Sequence, residues 1–311
     1  MKTSAAVCLC IAFLELSAVA RANTAAAAKG ARAECITADF RARHLENREM
    51  KFDVILPRDY ATSARRFPVL YLLHGYGGNY KDWCSLTHIA DYAKHYEEII
   101  IMPGAANSWY VNNYANPQLK WEDYITADLI PYVDSHYRTL AARQHRAIAG
   151  LSMGGYGALF LALKHPQMFA AAASLSGVVA SANMDRWDRP LVQAQQKNPA
   201  YAALIRSMRL DFGPTENPAR AGEDLFLLVR KVMPANCPQL YLSIGWGDTL
   251  LHENREFVRL LARLKMPYRY SEVPGKHEWP VWNEQVRCVL ALQAPVIGAP
   301  RIPLGNESPN R

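Results

Sequence analysis

The sequence predicts an α/β fold, a mostly parallel central sheet flanked by helices. Three observations carry this expectation. Wholly apolar runs of strand length, such as Val69-Leu70-Tyr71-Leu72-Leu73, suit strands buried on both faces of a parallel sheet. These runs alternate with stretches whose apolar residues recur at helical spacing, the rhythm of one layered domain. At one junction, Gly150-Leu151-Ser152-Met153-Gly154, small residues flank a serine between an apolar run and a helix-forming segment, as a sharp strand-to-helix turn requires. The chain has 311 residues, 50% of them hydrophobic, which is enough for a substantial core.

Residues 1–22 have the layout of a signal peptide. Lys2 precedes an apolar run over 5–14, and the small-residue sites Ala18-Val19-Ala20 and Ala20-Arg21-Ala22 follow, with Glu15 interrupting. The run is too short to span a bilayer, and the bulky Leu9 before Cys10 argues against a lipid anchor. Export is therefore expected, to the periplasm or outside the cell, with no membrane association once the leader is removed. Residues 23–34 are an Ala-rich linker, and the folded domain is expected over 35–293.

Within it, 36–44 and 49–56 alternate around Glu46-Asn47 as an antiparallel hairpin. A buried strand over 68–73 ends at His74-Gly75-Tyr76-Gly77-Gly78; a helix over 86–96 and a strand over 99–102 follow, the latter stopped by Pro103-Gly104. A helix is predicted over 121–137, and a strand over 145–149 leads into the serine turn. The helix beyond that turn closes at His165-Pro166, because a residue before proline disfavours helical backbone. A strand over 170–175 ends at Ser176-Gly177. The rhythm then breaks over 178–238, where Pro190, Pro199, Pro214, Pro218 and Pro234 punctuate short helical pieces, and this stretch is expected to form a cap-like excursion over the sheet. Regularity returns with strands over 239–244 and 268–272 and helices over 253–264 and 279–292. The Pro- and Gly-containing tail over 294–311 is expected to be disordered.

Several function classes fall away. The charge balance, 35 Lys+Arg against 28 Asp+Glu for a net +7, is scattered rather than gathered into basic blocks, so nucleic-acid binding is not expected. Loss of the leader removes Cys8 and Cys10 and leaves Cys35, Cys84, Cys237 and Cys288. These allow up to two disulfides in three pairings, or free thiols. No cysteine pair has zinc-ligand spacing. His252-Glu253-Asn254-Arg255-Glu256 lacks the second histidine of a zinc peptidase, and neither a dinucleotide fingerprint nor a phosphate-binding glycine–lysine loop is present. No metal and no cofactor are implied.

The chemistry centres on Ser152. A serine hydroxyl is a poor nucleophile until a base takes its proton, and that base needs an orienting carboxylate. The pentapeptide resembles the nucleophile turn of α/β-hydrolases, in which the chain order is serine, then carboxylate, then histidine. After Ser152 only His165, His252 and His277 remain. His165 lies at the far end of the helix that Ser152 starts, roughly 18 Å away at about 1.5 Å per residue. His277 follows a strand and is the natural base, with His252 as its rival. Asp248, directly after the strand over 239–244, is the expected carboxylate; Asp211 and Glu223 fall in the excursion and Glu253 on a helix. Backbone N–H groups of Tyr76 and Met153 are the expected oxyanion donors. His74, upstream of the serine, is read as structural. Trp109, Tyr110, Trp187, Trp246 and Trp279 lie in loops where aromatics could stack on a sugar or phenolic acyl group, or simply pack.

Taken together, Tyr71-Leu72-Leu73-His74-Gly75 with Gly77-Gly78-Asn79 and Trp83, Ser108-Trp109-Tyr110, Asp128-Leu129-Ile130-Pro131-Tyr132, Gly150-Leu151-Ser152-Met153-Gly154-Gly155 and Pro274-Gly275-Lys276-His277-Glu278-Trp279 resemble the esterase D-like family of α/β-hydrolases. That family includes S-formylglutathione hydrolases, feruloyl and acetyl esterases, and mycolyltransferases. The resemblance implies a serine esterase acting through an acyl-enzyme on a small-molecule or carbohydrate ester, with the triad Ser152, Asp248 and His277. An acyltransferase with the same triad, and a non-catalytic surface or carbohydrate-binding protein on this scaffold, are the alternatives. The leader disfavours a cytosolic S-formylglutathione hydrolase role.

Overall fold

The computed structural model describes residues 34–183, 199–214 and 217–302. The expected signal peptide, nearly all of the linker, Trp187 and Pro190 of the excursion, and residues 303–311 lie outside the described residues.

Eight strands form one sheet in the order β1-β2-β4-β3-β5-β6-β7-β8. The hairpin β1 (Ile36–Ala42) and β2 (Arg48–Ile55) is antiparallel, and Glu46 and Asn47 turn it with φ of 58° and 57°. β2 also runs antiparallel to β4 (Ile99–Pro103). From there β3 (Val69–Leu73), β5 (Arg146–Leu151), β6 (Ala171–Leu175), β7 (Gln239–Gly245) and β8 (Tyr268–Val273) are parallel to their neighbours. Every residue of β3, β4, β5 and β6 is buried, as the continuous apolar runs require of strands covered on both faces.

The period-two alternation of a strand divides these residues between two cores. Val69, Tyr71, Leu73 and Ile148 join a core with helix α4 (Met153–Lys164) and helix α6 (Leu251–Arg263). Leu70, Leu72, Ala147, Ala149 and Leu151 join the opposite core with α2 (Ile89–Ala93) and α7 (Trp279–Ile297). Among the described residues of the excursion, short helical turns accompany one longer helix, α5 (Pro199–Phe212), whose Ile205, Met208 and Phe212 are buried in the first core.

Three expectations are corrected. The helix expected over 86–96 is two short ones, α1 (Asp82–Leu86) and α2. Thr87 adopts extended backbone between them, and its hydroxyl accepts the Ile89 N–H at 3.1 Å, which starts the second helix afresh. The helix over 121–136, α3, is continuous, but its middle turn, Tyr124–Leu129, is widened: the Ile130 N–H bonds to Ile125 O, five residues back, just before Pro131. The last helix does not stop near 292. It runs to Ile297 through Pro295, ending at Gly298 with φ 74°, and Arg301 forms a bridge with Tyr96. Burial of Ala294, Ile297 and Ala299 outweighs the one hydrogen bond that Pro295 cannot donate, so residues 294–302 are ordered rather than tail.

Of the four cysteines in the domain, Cys35 and Cys84 form a disulfide across 49 residues. Cys237 is a buried free thiol and Cys288 an exposed one.

Candidate active site

Ser152 sits between β5 and α4 with φ 53° and ψ −117°, a region costly for a residue with a side chain. Its neighbours explain how the turn closes. A Cβ on Gly150 would lie 2.3 Å from Gly154 O, and one on Gly154 would lie 2.5 Å from His74 O, so only glycine lets the helix start press against both the strand end and the loop after β3. Ser152 N–H donates to Leu175 O at 2.9 Å, and Ser152 O accepts from Tyr156 and Val178 amides at 3.1 and 3.2 Å. The strained backbone is thus held from three sides.

Across the sheet's C-terminal edge, His277 Nε2 lies 2.9 Å from Ser152 Oγ, and His277 Nδ1 lies 2.9 Å from Asp248 Oδ2. An ionised carboxylate only accepts, so the imidazole proton belongs on Nδ1 and Nε2 is left to accept from the serine hydroxyl. Asp248 is buried at 5% exposure, and its other oxygen accepts the Leu250 N–H at 2.9 Å. Burial alone would raise the Asp248 carboxyl, but the bonds and charge from His277 and the Leu250 amide outweigh it, and the group lies below its ordinary value. Of the other candidates, His252 is an exposed residue of the first turn of α6, His165 is bound to Glu122 at 2.7 Å, and Asp211 is buried beside Asn113, which donates to it at 2.6 Å.

The loop after β3 reaches the same point. A Cβ on Gly75 would stand 2.6 Å from Leu151 Cδ1 and 3.4 Å from Ser152 Cβ, so the chain entering Tyr76 passes directly over the serine. The Met153 amide, first in α4, has no intrahelical acceptor, and neither it nor the Tyr76 amide meets a backbone acceptor among the described residues. His74 braces this loop. Its Nε2 accepts the Ala105 N–H at 3.0 Å and its Nδ1–H donates to Gly75 O at 2.8 Å. A ring nitrogen that accepts a backbone N–H carries no proton, so His74 is neutral, and burial lowers it from its ordinary value in the same sense.

Residues 44–290 match the family described as Putative esterase. The chain belongs to that family. It is similar to an acetyl esterase of Caldicellulosiruptor saccharolyticus, 29% identical over 225 residues that cover 72% of this chain and 82% of the relative. An esterase of Mycobacterium tuberculosis is 34% identical over 250 residues, covering 72% of this chain but 52% of its own longer length. Among solved structures, a ferulic acid esterase superposes with a TM-score of 0.68 at 26% identity, covering 85% of this chain and 99% of that one. The protein is thus an esterase-family carboxylic-ester hydrolase on an α/β-hydrolase fold.

In this esterase two of the expected rim aromatics are not at the rim. Trp109 and Tyr110 are fully buried, a correction that follows from their left-handed backbone, with φ of 52° and 58°, which turns both side chains inward. The Tyr110 ring fills the space where Gly157 lacks a Cβ, 2.4 Å from its Cδ2, and its hydroxyl donates to His74 O at 2.9 Å. Trp109 packs among Tyr76, Tyr156 and Phe212 and donates to Ser207 Oγ of α5 at 3.1 Å. Trp246 is 60% exposed, and Trp279 is half-buried against Trp83 and Trp282. Trp282, missed in the sequence, meets the His277 ring edge-to-face at 4.9 Å. Its position one helical turn beyond Trp279 was the available signal.

Proposed function

We propose that this esterase hydrolyses carboxylic esters through an acyl-enzyme on Ser152, with His277 as general base and Asp248 as its orienting carboxylate. The observation that carries the reading is the unbroken chain Ser152 Oγ to His277 to Asp248, each link 2.9 Å. His277 Nε2 takes the serine proton as Oγ attacks the ester carbonyl, and the carboxylate stabilises the resulting imidazolium. The Tyr76 and Met153 amides receive the oxyanion, preorganised where charge develops. His277 then returns the proton to the leaving alkoxide, and water attacks the acyl-enzyme by the same route. Trp246 and Trp279, flanking the His277 loop, contact the ester's acyl or alcohol portion. A small acyl or phenolic acyl ester of a carbohydrate suits such a rim, and the acetyl and ferulic acid esterases named above support that class.

Export is part of the same proposal. The leader-like layout of residues 1–22 and the Cys35–Cys84 disulfide fit an oxidising compartment, secreted or periplasmic. Labelling by a fluorophosphonate probe, with the adduct located by mass spectrometry, tests the nucleophile. Modification of Ser152, abolished in Ser152→Ala, is expected, and an unlabelled native protein would point instead to a binding module. A panel from acetyl to feruloyl esters identifies the acyl group, and N-terminal sequencing of exported protein tests the leader.

A further inference from the structure

Asn254 stands in the first turn of α6, 1% exposed, and touches none of the groups proposed to react. Its amide nitrogen nevertheless donates twice, to Leu250 O and to Gly177 O, both at 2.9 Å. These two carbonyls belong to separate loops. Leu250 is the residue whose N–H holds Asp248 Oδ1. Gly177 follows Ser176, whose φ is 48° and whose N–H is tied to Ser243 O at 2.7 Å, and it precedes Val178, whose N–H holds Ser152 O at 3.2 Å. One side chain therefore fastens the loop that aims the carboxylate to the loop that holds the serine turn.

The remainder of the amide argues that the donors matter. Asn254 Oδ1 is buried with no hydrogen-bond partner among the described residues, a state that costs stability. A leucine of similar size would remove that cost. Gly177 cannot substitute by closer packing, since a Cβ there would lie 2.1 Å from Ser174 Oγ. The paired amide donors are thus one tie between the two loops, beside the Ser176 N–H bond to Ser243 O at the end of β7.

We infer that Asn254 is a positioning residue for the reaction, locking the Asp248 loop to the Ser152 turn so that carboxylate, imidazole and hydroxyl stay in line. The inference rests on the triad proposed above. It acts through Asp248: with the side-chain amide gone, Leu250 O keeps the Asn254 backbone N–H at 3.2 Å but the Asp248–Leu250 loop loses its tie to Gly177 O, so the carboxylate loses its aim at His277 Nδ1, and the imidazolium formed during attack is less stabilised.

The test is a cycle of Asn254→Leu, Asp248→Asn and the double variant, with rates normalised to sites titrated by a fluorophosphonate. Asn254→Leu is expected to lower kcat by roughly 10- to 100-fold, the scale of a misplacement of about 1 Å, with KM little changed. The acid limb of its kcat/KM profile should move to lower pH, because a poorly aimed carboxylate stabilises the imidazolium less. The double variant should be no slower than Asp248→Asn alone. Asn254→Ser, which retains one short donor, should fall between, and it carries the test if the leucine variant does not fold. An unchanged kcat per titrated site, or losses that simply multiply in the double variant, overturns the inference while leaving the triad standing. A mild Asp248→Asn phenotype overturns the triad itself.

Discussion

Ser152 Oγ and His277 Nε2, 125 residues apart in the chain, lie 2.9 Å from one another because the ends of β5 and β8 open on the same edge of the sheet. Ser152→Ala removes the hydroxyl and leaves the turn, whose conformation is held by backbone bonds rather than by the side chain. Turnover should fall by about 10⁴-fold or more, with circular dichroism and Tm nearly unchanged. Comparable rates in the variant would end the acyl-enzyme reading.

Asp248→Asn preserves shape but leaves His277 without an ionised acceptor, which favours the wrong tautomer, so kcat should fall by roughly 10³- to 10⁴-fold while KM moves little. Asp211→Asn and His252→Ala serve as controls and should leave both parameters close to native. A crippled Asp211→Asn beside a mild Asp248→Asn would reassign the carboxylate.

Stability should decline as pH rises from weakly acidic to weakly alkaline. Burial pushes Glu98 up to about 8, Glu223 up to about 8 and Asp211 up to about 7. Each group binds its proton more tightly folded than unfolded, so its contribution is complete below the ordinary carboxyl value and is lost as pH climbs through the folded one, at up to about 1.4 kcal/mol per pH unit per group. Glu98 accepts from Gln293 at 2.9 Å, a bond that a glutamine there can keep. Glu98→Gln should therefore match native Tm near pH 4 to 5 and exceed it near pH 9; equal Tm at both ends would show that Glu98 is not held protonated.

Reduction of Cys35–Cys84 opens a loop of 49 residues. A closed loop of that size is worth about 4 kcal/mol in chain entropy, so Cys84→Ser should shift the urea midpoint downward by a corresponding amount. Esterase activity at 25 °C should persist, since neither cysteine touches the site. Peptide mapping without reductant should recover the two cysteines linked, with Cys237 and Cys288 alkylated.

Much of this was legible in the chain. Buried parallel strands betray themselves as continuous apolar runs, so β3, β4, β5 and β6 fell within a residue or two of their expected bounds. The serine turn was legible because only glycine fits where backbone meets backbone, at Gly150 and Gly154. The proximity of Ser152, Asp248 and His277, the triad proposed here, could be anticipated because each follows a strand, and strands of one parallel sheet end on one edge.

What the sequence by itself determined is therefore local: which segments are strands, where the backbone must turn sharply, and which side chains are candidates to attack, accept a proton or aim an imidazole. Tertiary structure alone decided the rest. Whether Trp109 and Tyr110 face solvent or core depends on a left-handed turn and on the gap beside Gly157. Whether α7 passes Pro295 depends on what buries Ile297, and which cysteines pair depends on the approach of β1 to α1. The role inferred for Asn254 depends on two carbonyls, at 177 and 250, that no sequence spacing brings together. These are contacts between segments far apart in the chain, and their energies come from packing and paired hydrogen bonds that local pattern does not encode.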